Sequence, residues 1–178
     1  APVATRVMPE IESRRVLFVA ALLHDIAKGR DGDHSELGAE LALDLCPVLG
    51  LSQEETETVS WLVRHHLLMS KTAFRYDLNE PKTIDDFAAI VQSPERLKLL
   101  LVLTVADIRG VGPTIWNGWK AALMRDLYNQ TDAVLRGADA AVIAAGNAEV
   151  AREAVWERLD GWDEEEFNAY AMMMPRQY

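Results

Sequence analysis

Leu22-Leu23-His24-Asp25-Ile26-Ala27-Lys28-Gly29 sets an imidazole beside a carboxylate at the end of an apolar run that starts at Val16. Burying both without a partner is costly, and a divalent cation is a partner that both can ligate. On a helix, neighbouring residues point about 100° apart. The pair therefore approaches one ion from two directions, provided that other helices supply further ligands. The remaining histidines are His34, His65 and His66, and Asp107 closes a second apolar run, Leu100-Leu101-Val102-Leu103-Thr104-Val105-Ala106. These residues are the candidate ligands.

Working outward, the composition fits one soluble globular unit. The 178 residues are 49% hydrophobic and 26% charged, which excludes the disordered and fibrous classes. The apolar runs are too short or too interrupted to span a bilayer. Residues 1–20 lack the basic start and cleavage pattern of a signal peptide, so a cytoplasmic location without membrane attachment is expected. The lone Cys46 falls on an apolar helical face and reads as core in a reducing compartment. A formal charge of −10 argues against a nucleic-acid partner.

The spacing predicts a helix over about residues 9–28, with Pro9 in its first turn, Leu17, Ala20, Ala21 and His24 on one face, and Gly29 as its stop. Asp33 and Glu36 match a capping box, with His34 in the first turn and Leu37, Leu41, Leu45 and Val48 as an apolar stripe running to Gly50. Ser52-Gln53-Glu54-Glu55 opens the next helix, where Val59, Leu62, Val63 and His66 share an inward face. His65 points about 100° away, so both histidines serve one site only if the helix end lies close beside it.

Lys71 to Thr83 reads as a polar connection and Ile84 to Val91 as a short helix. Ser93-Pro94 starts a helix ending near Asp107, with Leu100, Leu103, Thr104 and Asp107 facing inward. Gly110-Val111-Gly112-Pro113 breaks the chain. The helix that follows carries Trp116, Trp119, Leu123, Leu127 and Tyr128. Their spacing suits a core, although Trp116, Trp119 and Tyr128 also offer flat faces for a planar ligand. Ala133 to Leu159 is alanine-rich and helical in propensity, and Gly161 to Pro175 reads as a short acidic helix or tail. No strand alternation is found. The expected fold is all-α, a helical bundle over residues 1–130 with a C-terminal helical extension over 131–178.

The ordered set His24-Asp25, His34, His65-His66 and Asp107 resembles the HD-domain superfamily of metal-dependent phosphohydrolases. Five stretches sharpen the likeness: Leu22 to Gly29, Gly32-Asp33-His34-Ser35-Glu36-Leu37-Gly38, Trp61 to Ser70, Leu103 to Arg109, and Trp116-Asn117-Gly118-Trp119-Lys120. They are similar to the HD domains of bacterial bifunctional PII uridylyltransferase/uridylyl-removing enzymes. The resemblance implies an HD-domain bundle and hydrolysis of the tyrosyl-UMP bond on the signalling protein PII, in nitrogen regulation. It also implies transferase and ACT domains elsewhere in a parent chain. One or two divalent ions (Mn, Mg, Fe or Zn) would be held by His24, Asp25, His34, His65, His66 and Asp107, with Asp25 bridging if there are two. Asp25, Lys28 and Arg109 are the candidate catalytic residues, and Arg64 is a further nearby cation. The superfamily's first metal histidine precedes the His-Asp pair, and residues 1–23 hold none; the sequence is expected to begin after it. Two other readings stay open, hydrolysis of a free nucleotide or cyclic dinucleotide, and a noncatalytic regulatory module.

Overall fold

A computed structural model describes residues 2–112, 115–159 and 162–173. Among these the secondary structure is helical throughout: α1 (Pro2–Val7), a 3₁₀ turn (Met8–Glu10), α2 (Arg14–Leu23), α3 (His34–Val48), α4 (Gln53–His65), α5 (Leu68–Arg75), α6 (Pro81–Val91), α7 (Pro94–Val111), α8 (Gly118–Leu135), α9 (Ala140–Trp156) and α10 (Glu164–Met173). The expected all-α architecture is what forms. No described helix is long and apolar enough to cross a membrane.

α7 is the central element. Leu97, Leu99, Leu100, Leu101, Leu103, Thr104 and Val105 are all buried, so this helix is enclosed on most of its circumference. α1, α2, α4, α5, α6 and α8 pack against it. Two long-range bonds pin the N-terminal segment there: the Glu12 amide donates to Glu95 Oε1 at 2.9 Å, and Lys98 Nζ donates to the Glu10 carbonyl at 2.8 Å.

The local signals at α4 hold in full. Ser52 accepts from the Glu55 amide while the Glu55 carboxylate accepts from the Ser52 amide, a reciprocal capping box. Val59, Leu62, Val63 and His66 are buried. α7 likewise begins at Ser93-Pro94, with Ser93 as its cap.

Several expectations are corrected. The first long helix starts at Arg14, capped by Ser13, and ends at Leu23; the chain from Pro9 is occupied by the 3₁₀ turn and a connection. His24 to Lys28 continue as tight turns, with the Ile26 amide donating to the Leu23 carbonyl and the Lys28 amide to the Asp25 carbonyl. The His-Asp pair thus sits just past a helix rather than within it. The stretch read as a polar connection begins inside α5, which runs on to Arg75, and α6 begins earlier, at Pro81. α7 runs through Gly110 and stops at Gly112; Pro113 lies outside the described residues. The alanine-rich stretch begins with the last residues of α8 and continues as α9, the two divided at Gly137, whose φ of 99° favours glycine. Met174 and Pro175 also lie outside the described residues.

The largest correction concerns α3. The leucine stripe does not form the core face: Leu45 and Val48 are exposed, as are Leu43 and Leu49. The buried face is instead Ser35, Gly38, Ala39, Ala42 and Cys46, small residues that let α3 lie close along α4. Ser60 Oγ of α4 donates to the Ala39 carbonyl at 2.9 Å across this contact. A Cβ built on Gly38 would stand 3.0 Å from Val63 Cγ1, which leaves no room for a branched side chain.

Replacing Gly38 weighs a gain in helix propensity of about 1 kcal/mol against overpacking of about 1–3 kcal/mol. Gly38→Ala is expected to be near neutral. Gly38→Leu is expected to lower the Tm by several degrees, measured by thermal unfolding; an unchanged Tm would show that α3 and α4 have slack between them.

Candidate metal centre

The turn after α2 meets the first residue of α3, the end of α4 and the end of α7, and each contributes one or two polar side chains. Asp25 is central. Its Oδ1 lies 3.7 Å from His34 Nε2 and 4.0 Å from His66 Nε2, while its Oδ2 lies 3.8 Å from His24 Nε2 and 2.6 Å from Lys28 Nζ. His24 Nε2 is in turn 3.5 Å from Asp107 Oδ1. The two carboxylate oxygens of Asp25 thus face two different sets of groups, His34 with His66 on one side and His24 with Lys28 on the other, and Asp107 meets the cluster through His24.

The orientation of two imidazoles is fixed by the backbone. His24 Nδ1 is 2.8 Å from the Ala21 carbonyl, and His66 Nδ1 is 2.7 Å from the Val63 carbonyl. A carbonyl oxygen only accepts, so each Nδ1 carries the proton and each Nε2 of the neutral ring keeps its lone pair for the site. The rings of His24 and His34 each stand edgewise to His66, with centroids 5.4 and 5.3 Å away. Thr104 Oγ1 of α7 reaches the His66 carbonyl at 3.5 Å, a long contact that links the α4 end to the central helix.

Burial and charge divide the roles. His66 is 2% exposed. Burial, reinforced by the neighbouring His24 and His34, pushes its pKa below 6.5, so the ring is a neutral donor near pH 7. Partial burial of Asp25 opposes its ionisation, but the Lys28 hydrogen bond and the charges of His24, Lys28 and His66 outweigh that and hold its pKa below 3.8. The pairing raises Lys28 above 10.5, with Asp107 adding to the same effect. Imidazole nitrogens facing carboxylate oxygens are a donor set suited to a borderline divalent ion. Asp25, His34 and His66 each offer one donor atom, all mutually within 4.8 Å. His24 and Asp107 adjoin that group, and the residues present fit a metal ion.

Two of the sequence candidates stand apart. His65 is turned away from the cluster, and its ring lies against Trp61, 4.9 Å between centroids. Desolvation there, helped by Arg64, pushes its pKa down. The structure does not bring His65 into the group formed by Asp25, His34 and His66, consistent with the rotation of about 100° between adjacent helical residues. Arg109 is exposed in the last turn of α7, two residues beyond Asp107. Arg64 pairs with Glu36 at 3.2 Å, bridging α4 to α3.

A family model described as "HD domain" matches residues 3–108. The chain belongs to the HD-domain family. This HD domain is 54% identical over 169 residues to a bifunctional uridylyltransferase/uridylyl-removing enzyme of Azospirillum brasilense, covering 95% of the chain and 18% of that protein. Enzymes of the same description from Gluconobacter oxydans and Novosphingobium aromaticivorans are 55% identical over 160 residues and 63% identical over 135. These alignments cover 90% and 76% of the chain, and 17% and 15% of the relatives. The chain thus spans less than a fifth of the length of these relatives. No solved structure matches it.

Removing the central carboxylate tests the cluster. Manganese at about a hundred times its Kd is expected to stabilise the wild-type chain by about 2.7 kcal/mol, seen as a raised Tm. Asp25→Asn should abolish the rise and His65→Ala should keep it; equal loss in both variants would put His65 back in the site.

Proposed function

We propose that this HD domain is the uridylyl-removing hydrolase of a longer bifunctional enzyme, cleaving the phosphodiester between UMP and a tyrosine of the PII signalling protein. The observation that carries the reading is Asp25, whose two oxygens face two donor sets while its charge is balanced by Lys28. Relatives at 54–63% identity bear the uridylyl-removing name. The remaining length of such a parent would hold the transferase and ACT domains, with residues 131–178 leading onward from a hydrolase unit over 1–130. The setting is the cytoplasm.

His34, His66 and Asp25 would hold one divalent ion, and His24 and Asp107 with Asp25 a second where two bind. The metal would be Mn, Fe, Zn or Mg, and it would supply positive charge against the phosphate and acidify water. The protein's own groups do the rest. Lys28 Nζ has two further donors beyond its bond to Asp25, and these meet a nonbridging phosphate oxygen in the anionic substrate. Arg109 draws the same anion toward the α7 end. Water oxygen forms the new bond to phosphorus and the bond to the tyrosyl oxygen breaks, giving UMP and tyrosine. A phenol of pKa about 10 leaves without a strong acid, so no buried protonated carboxyl is required. Asp25 stays ionised throughout, held so foremost by its bond to Lys28.

The test is release of UMP from uridylylated PII by this chain with manganese, against a chelated control. Metal-dependent release is expected, lost in Asp25→Asn and reduced roughly 10–100-fold in Lys28→Ala, as for a charged contact worth about 1.5–3 kcal/mol. Equal release with and without chelator, or from Asp25→Asn, would sink the assignment.

A further inference from the structure

The aromatic residues beyond Asp107 separate into two kinds. Tyr128 is buried and Trp116 is partly buried against the core, but Trp119 is 61% exposed at the start of α8. Its ring stacks on Phe74 of α5, 6.1 Å between centroids with planes 26° apart. Lys120 Nζ stands 5.7 Å from the centre of the same Phe74 ring and donates to the Ile115 carbonyl at 2.9 Å. Asn117 caps the helix by accepting from the Lys120 amide, so both residues sit on a defined turn. An indole backed by one aromatic ring and left open to water is poorly explained as core, while it is well suited to receiving a second flat ring.

The chain joins this platform to the metal centre from both sides. α5 starts two residues after His66 and carries Phe74. α8 is reached through the short connection that follows α7, which carries Asp107, and α5, α7 and α8 pack on one another.

We propose that Trp119, backed by Phe74, is the stacking subsite for the pyrimidine base of the nucleotide, with Lys120 at its edge. Lys120 has two donors left beyond its bond to Ile115, and the carbonyl oxygens of uracil are matching acceptors. This rests on the hydrolase reading for its substrate class, and it assigns the base, rather than the phosphate, to residues outside the HD cluster.

Binding, not turnover, tests it. Calorimetry on the manganese-loaded chain would compare UMP with ribose 5-phosphate for wild type, Trp119→Ala and Trp119→Phe. Trp119→Ala is expected to weaken UMP roughly 5- to 150-fold, the range for one base on one aromatic ring, with Trp119→Phe retaining most of the affinity and ribose 5-phosphate unchanged in all three. UMP bound equally by wild type and Trp119→Ala, equal weakening of both ligands, or no UMP binding by wild type would each overturn the proposal. Stacking without release of UMP from PII would overturn the hydrolase reading alone. Release combined with UMP binding indifferent to Trp119 would overturn the subsite alone.

Discussion

Two backbone carbonyls, those of Ala21 and Val63, decide what the rest of the site can be. Each lies three residues before a histidine and takes the proton of its Nδ1, which leaves Nε2 as the only nitrogen directed at Asp25. Neither carbonyl is spare by accident. Both belong to helix ends, where the last turn leaves carbonyls without an amide partner, and the histidine following each end supplies one. Ending α2 at Leu23 and α4 at His65 is thus a condition for aiming the two rings.

The electrostatics follow from that arrangement. Three imidazoles and an ammonium surround one carboxylate, and the carboxylate stays ionised although it is partly buried. Lys28, itself exposed, keeps one bond to Asp25 and so remains beside the site. In a chain of net charge −10, this placed cation matters more for an anionic substrate than the average field, which repels it.

What could be read from the sequence was what short range determines. The capping box at Ser52 and Glu55 and the inward face ending in His66 depend on spacing within one helix, and both formed as read. The pairing of His24-Asp25 with His34 and Asp107 was visible as a set of residue types whose burial lacks another justification. The faces chosen by neighbouring helices were not visible. α3 offers Leu37, Leu41 and Leu45 at helical spacing, yet it turns Gly38, Ala39 and Ala42 to α4, because close approach of two helices rewards small side chains and Ser60 needs the Ala39 carbonyl. His66 was legible on the inward face, whereas the ring of His65, about 100° round the helix, lies against Trp61, a contact that spacing along one helix does not reveal. α5 escaped notice since its polar residues mask Met69, Thr72 and Ala73, its buried side.

The tight contact at Gly38 has a consequence for the ligands on either side of it. His34 stands one turn before Gly38 on α3, and His66 follows directly on α4, so the gap between their rings is inherited from the separation of two helices in van der Waals contact. Packed interiors are nearly incompressible. The spacing of the two imidazoles is therefore fixed when the helices pack, and a cation would meet a socket whose width was set beforehand by the small side chains of α3.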